Sequence, residues 1–123
     1  MLVDDHAAFR EMVRTLLRTT DAAIIECEDG WEAATRYADF QPDIVLMDLA
    51  MPGLDGLGAT AQIKARFPTA RIVILTQYDD PDLRLAARQA GACDCLSKHD
   101  LSRLDRLVQA WTSCIQTDEH KSV

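Results

Sequence analysis

The chain has 123 residues and a mass of 13.7 kDa, which suits one domain with a single core. Hydrophobic residues make up 48% and charged residues 27%, with 5 Gly and 4 Pro, a globular balance that excludes disordered, collagen-like and low-complexity classes. Acidic residues number 20 against 13 Lys and Arg, a formal charge of -7, and the scattered basic residues form no stripe for nucleic-acid phosphates.

In chain order, Met1-Leu2-Val3 is a first strand of three or four residues, short for the centre of a sheet. It turns acidic at once, which no secretory signal does. From Ala7 to Thr19, Phe9, Met12, Val13, Leu16 and Leu17 recur at helical spacing and leave Arg10, Glu11, Arg14 and Arg18 for water. Ala22 to Glu26 is a short apolar strand, and Asp29 caps a helix from Trp31 to Phe40 that Pro42 ends. Ile44 to Met47 is a continuous apolar run, as expected of a parallel strand buried on both faces.

A loop at Met51-Pro52-Gly53 precedes a helix from Asp55 to Phe67, whose Gly56 and Gly58 each weaken its first turn by about 1 kcal/mol relative to Ala. Arg71 to Thr76 is a second buried strand. Asp80-Pro81 starts a helix that Gly91 stops after Ala90. Cys93 to Leu96 is the fifth strand, and the last helix runs from about Asp100 to Gln116. Residues 1–116 are expected to form the domain, and 117–123 a polar tail or the start of a linker. No apolar run approaches the roughly 18 residues that a membrane span needs.

Five strand–helix units predict an α/β doubly wound five-stranded parallel sheet with helices on both faces. Ligands of such sheets sit at the carboxyl ends of the strands. Asp4 and Asp5 follow the first strand, Asp48 the third, Thr76 the fourth and Lys98 the fifth. Two unit charges about 4 Å apart repel by about 4 kcal/mol at an effective dielectric of 20, so three converging carboxylates call for a counter-ion. Oxygen ligands with no His or Cys among them favour Mg2+ over zinc, and Mg2+ keeps room in its shell for a phosphoryl oxygen.

The stretches Val3-Asp4-Asp5-His6, Pro42 to Asp48, Met51 to Gly56, Ile74-Leu75-Thr76 and Gly91-Ala92 through Lys98 together resemble a response-regulator receiver domain, CheY-like and of the NarL/FixJ type. The resemblance implies strand order 2-1-3-4-5 and a phosphoryl group accepted from a histidine kinase or phosphotransfer protein. It implies Asp48 as phosphoacceptor, Asp4, Asp5, Asp48 and the Ala50 backbone carbonyl around Mg2+, and Lys98 as a point charge on the phosphoryl oxygens. Thr76 matches the switch hydroxyl. Cys95 stands where the family usually carries Tyr or Phe, and Tyr78 supplies an aromatic ring nearby. Ala50 and Tyr78 also match the positions that line the approach of hydrolytic water in this family.

Other residues read more plainly. Asp43 leads into a strand, Asp55 is a helix cap and Asp94 a polar strand residue. His6 begins a helix and is given no role. Trp31 and Trp111 are expected as packing anchors, and Cys27, Cys93, Cys95 and Cys114 as reduced thiols with Cys93 and Cys95 buried on one strand face.

The expected function is a cytoplasmic phosphorelay receiver that switches partner binding or dimerisation. It would not be a metabolic enzyme, and it would regulate transcription through a DNA-binding domain absent from this chain. The alternative is an interaction module of the same fold that does not use phosphate. An aspartyl-nucleophile phosphohydrolase of the haloacid dehalogenase type is disfavoured, because the second acid it needs two residues after the nucleophile is Ala50.

Overall fold

The alternation of short apolar runs with amphipathic segments produces layered α/β architecture. The computed structural model describes residues 1–78 and 80–111. The strands are β1 (Leu2–Val3), β2 (Glu26–Cys27), β3 (Val45–Asp48), β4 (Ile72–Thr76) and β5 (Asp94–Ser97). The helices are α1 (Ala7–Leu16), α2 (Gly30–Phe40), α3 (Gly56–Arg66) and α4 (Pro81–Ala90). A fifth, α5, covers residues 104–111 of the described chain. Residues 100–103 of the predicted last helix form a turn ahead of α5, and its residues 112–116, Cys114 and the tail 117–123 lie outside the described residues.

All strand pairs are parallel and their order is β2-β1-β3-β4-β5, as the resemblance implied. Strand alternation divides the core in two. Val3, Val45, Met47, Ile72, Ile74 and Cys95 face Ala33, Tyr37, Ala59, Ile63 and Ala87 of α2, α3 and α4. Leu2, Leu46, Val73, Leu75 and Leu96 face Val13 and Leu17 from α1 and its C-cap, and Leu104 and Val108 of α5. Helices therefore cover both faces, which is why the central strands read as unbroken apolar runs.

The expected caps form. Asp29 accepts from the Glu32 N–H at 2.8 Å, Asp55 from Gly58 at 2.8 Å and Asp80 from Asp82 at 2.8 Å. Gly91 closes α4 at φ 110°, a left-handed conformation that side chains other than glycine resist.

Several expectations are corrected. The second strand is Glu26–Cys27 rather than Ala22 to Glu26, because β1 offers only two residues for pairing in its ladder with β2. Ile24 and Ile25 pack against the two cores from the preceding loop instead. On α1 only the row Phe9, Val13 and Leu17 reaches the core, while Met12 and Leu16 are exposed. Among the described residues, helix α1 shares its side of the sheet with α5, and this row is the part of α1 that packs there. Trp31 is 59% exposed at the start of α2, whereas Trp111 packs on the second core and carries the Arg71 guanidinium 5.5 Å from its ring centroid. Cys95 is buried but Cys93 is exposed, because β5 begins one residue later than expected, at Asp94.

Candidate functional site

Parallel pairing sets the carboxyl ends of β1, β3, β4 and β5 side by side: Val3 pairs with Met47, Asp48 with Leu75, and Thr76 with Ser97. Asp4 leaves β1, Asp48 ends β3, Thr76 ends β4, and Lys98 follows β5. The five predicted positions thus converge, each carried by a different strand end except the adjacent pair Asp4 and Asp5.

Asp4 is fully buried and every polar group it has is engaged. Its N–H donates to the Cys27 carbonyl at 3.0 Å, and its carbonyl accepts from Arg10 Nη1 at 2.6 Å. One carboxylate oxygen accepts from the His6 N–H at 2.8 Å and the other from Lys98 Nζ at 2.7 Å. Lys98 Nζ also lies 3.0 Å from Asp48 Oδ1, so a single ammonium bridges two carboxylates. Asp5 is more open, and its carboxylate lies 3.0 Å from His6 Nδ1.

Burial pushes the Asp48 carboxyl above its ordinary value, and the neighbouring Asp4 adds to this against the opposing pull of Lys98 and the Ala50 N–H. Burial works to lower Lys98, but its hydrogen bonds to Asp4 and Asp48 outweigh that and hold it raised. Three carboxylates at the rim also carry more negative charge than one lysine balances. One ligand atom from each of Asp4, Asp5, His6 and Asp48 falls within 4.8 Å of the others, a spacing suited to a cation with oxygen-rich coordination.

Thr76 is buried, and its hydroxyl accepts from the Tyr78 N–H at 3.1 Å. The Thr76 carbonyl accepts from the Lys98 N–H at 2.7 Å, tying the loop after β4 to the loop after β5. His6, Asp48, Ala50, Thr76, Tyr78 and Lys98 line an open cleft of about 260 Å³, several times the roughly 30 Å³ share of one water. It can hold a phosphoryl group beside a hydrated cation. Cys95 faces away from this cleft and lines a smaller one between α4 and β5 with Arg84, Ala87 and Arg88.

Sequence reasoning passed over three residues. Phe9, read only as a core residue, places its ring centroid 4.2 Å from Lys98 Nζ. His6, given no role, donates its N–H to Asp4 and adds its imidazole to the acidic cluster. Arg10, assigned to water, has a side chain only 12% exposed and is anchored to Glu26 and the Asp4 carbonyl. For Arg10 the available signal was its place on the first turns of α1, directly after the acidic pair, opposite the acidic Glu26 of the neighbouring strand.

A family model described as the response regulator receiver domain matches residues 1–110. The chemotaxis protein CheY of Listeria monocytogenes is 33% identical over 111 residues, which are 89% of this chain and 92% of that protein. The transcriptional regulatory protein YdfI of Bacillus subtilis is 43% identical over 101 residues, covering 80% of this chain and 46% of the relative. The crystal structure of a LuxR-family two-component response regulator from Aurantimonas sp. SI85-9A1 superposes with a TM-score of 0.84 at 38% identity, covering 89% of this chain and 81% of that one. The chain belongs to the receiver domains of two-component response regulators, and its sheet order is the one the resemblance implied.

Proposed function

We propose that the chain takes a phosphoryl group onto Asp48 in the presence of Mg2+ and passes the signal on by changing what it binds. The observation that carries this is the bridging of Asp4 and Asp48 by one lysine at 2.7 and 3.0 Å beside the open carboxylate of Asp5. An Asp48 oxygen attacks phosphorus in line and forms a new O–P bond. The bond from phosphorus to the donor's leaving atom breaks, and its electron pair departs with the leaving group. The donor is the phosphohistidine of a histidine kinase or phosphotransfer protein, or a small acyl phosphate.

Asp4, Asp5, Asp48 and the Ala50 carbonyl would hold Mg2+, and the oxygen-rich donor set fits it. When bound, that cation supplies positive charge to the equatorial phosphoryl oxygens. Lys98 supplies the second positive charge from the protein, held in place by Asp4 and by the Phe9 ring. Thr76 trades its bond from the Tyr78 N–H for donation of its own hydroxyl proton to a phosphoryl oxygen, and draws the loop after β4 inward. Tyr78, 69% exposed, and Ala50 flank the path of the water that later hydrolyses the acyl phosphate. The domain turns over no external metabolic substrate.

Partner binding or dimerisation is the output, and in a longer protein the receiver would control transcription through a separate DNA-binding domain in the cytoplasm. Among the described residues no helix is long and apolar enough to cross a membrane. The phosphate-independent interaction module has Cys95 in its favour, because a thiol lines the cleft beside α4 where the family usually places a ring. Intact mass after incubation with acetyl phosphate separates the two readings. One added phosphoryl group, requiring Mg2+ and lost in Asp48→Asn, supports the phosphorylated switch. An unchanged mass, when a control receiver labels fully, supports the module.

A further inference from the structure

The acidic loop that follows β1 stands on a strand of only two residues. Asp4 is held by four hydrogen bonds, whereas among the described residues the Asp5 carboxylate is accompanied only by the exposed imidazole of His6. The direction of the Asp5 side chain depends on the peptide plane that joins it to Asp4. That plane presents the Asp4 carbonyl, and the carbonyl accepts from Arg10 Nη1 at 2.6 Å.

Arg10 is itself fixed at Nε, with a longer ion pair at Nη2. Nε donates to Glu26 Oε1 at 3.0 Å, and Nη2 lies 3.8 Å from Glu28 Oε1. The second oxygen of Glu26 is taken by Arg14, one turn along α1, and the Glu26 carbonyl accepts from Arg36 Nη1 at 3.2 Å. The guanidinium is therefore oriented by β2 and delivers that orientation to the loop carrying Asp5. A planar fork with its donors in fixed directions is the group suited to this, whereas a lysine in its place would bring a point charge on a flexible stem without the fork's fixed geometry.

We propose that Arg10, oriented by Glu26, is a positioning residue that sets the Asp4–Asp5 peptide and thereby the affinity of the site for its divalent cation. It touches neither the cation nor the phosphoryl group. The proposal rests on the metal-assisted reading given above. A plain structural role, fastening α1 to β2, is the rival, and Arg14 provides the control: it pairs with the same Glu26 from the same helix and makes no bond to the acidic loop among those described.

The test is Mg2+ titration of wild type, Arg10→Gln, Arg10→Lys and Arg14→Gln by calorimetry on the folded, unphosphorylated protein. It is joined by the Asp5 backbone amide shift in the metal-free state and by the Mg2+ dependence of labelling with acetyl phosphate. Arg10→Gln is expected to weaken Mg2+ binding about tenfold, the usual lower bound for loss of an outer-shell partner, and to move the Asp5 amide resonance. The half-saturating Mg2+ for labelling rises by the same factor, while the rate at saturating Mg2+ stays within about twofold. Arg14→Gln leaves Mg2+ affinity and the Asp5 amide unchanged, and Arg10→Lys falls between. Equal effects of Arg10→Gln and Arg14→Gln, or unchanged affinity in Arg10→Gln, overturn the positioning role. Wild-type protein that binds no Mg2+ overturns the metal-assisted reading and this inference with it, so the two failures are distinguishable.

Discussion

Thr60 lies in α3 with its hydroxyl enclosed and without a hydrogen-bond partner among the described residues. An unsatisfied buried hydroxyl costs about 1–3 kcal/mol, and a shape-matched methyl carries no such cost. Thr60→Val is expected to raise unfolding stability by about 1 kcal/mol in a urea melt, and an equal loss would show that the hydroxyl has a partner in solution. Cys27 poses a pH-dependent case. It is fully enclosed, and burial pushes its thiol from 9.0 up to about 11. The folded chain then keeps the proton that the unfolded chain releases, so stability falls as pH rises from 9.0 toward 11. Cys27→Ala, less stable at neutral pH, should lose that part of the alkaline slope. An unchanged slope contradicts the assignment. At this scale the sequence was informative about which side chains stand at the strand ends, as for Asp4, Asp48, Thr76 and Lys98. It was misleading for Trp31 and Arg10, because neither size nor charge says whether a neighbouring strand offers a partner. Trp31 finds open surface, and Arg10 finds Glu26 and a free carbonyl.

Among the elements, α3 shows how helix propensity and tertiary contact can oppose each other. Gly56 reads as a weak first helical residue, and replacing it by Ala in an isolated helix gains about 1 kcal/mol. In the folded chain a Cβ at Gly56 would stand 2.1 Å from the Asp48 carbonyl oxygen, against the backbone at the end of β3. Gly56→Ala is therefore expected to destabilise by about 1–3 kcal/mol, the usual cost of overpacking, and to slow labelling of Asp48 by displacing it. A rise in melting temperature would contradict this. The helix boundaries at Asp29, Asp55, Asp80 and Gly91 were legible because these residues signal caps with their own hydrogen bonds or backbone freedom, whereas the end of α1 at Leu16 and the start of α5 at Leu104 were not. Strand β2 was not, since its place is set by register against β1 and not by its own composition: Ile24 and Ile25 carry the apolar signal while Glu26 and Cys27 make the ladder.

For the whole molecule, the two faces of the sheet bury separate cores and leave the strand ends to bear charge. Asp4 and Asp48 are buried, Asp5 and His6 complete the cluster, and the Lys98 ammonium bridges the carboxylates of the first two. A cation that binds only the folded chain stabilises it, by about 2.7 kcal/mol at a hundredfold excess over its dissociation constant. Addition of Mg2+ is expected to raise the melting temperature, chelation to reverse it, and Asp5→Ala to remove the effect. A wild-type melting temperature that ignores Mg2+ would contradict a cation site at the rim.

The central claim concerns one oxygen–phosphorus bond, and mapping that bond tests it most directly. Protein treated with acetyl phosphate and Mg2+ is reduced with borohydride, which converts an acyl phosphate to an alcohol, and the modified residue is located by peptide mass spectrometry. Reduction is expected at Asp48 alone, dependent on Mg2+ and diminished in Lys98→Ala. Modification at Asp4 or Asp5 instead, or none at Asp48 in protein that has gained a phosphoryl group, would contradict it.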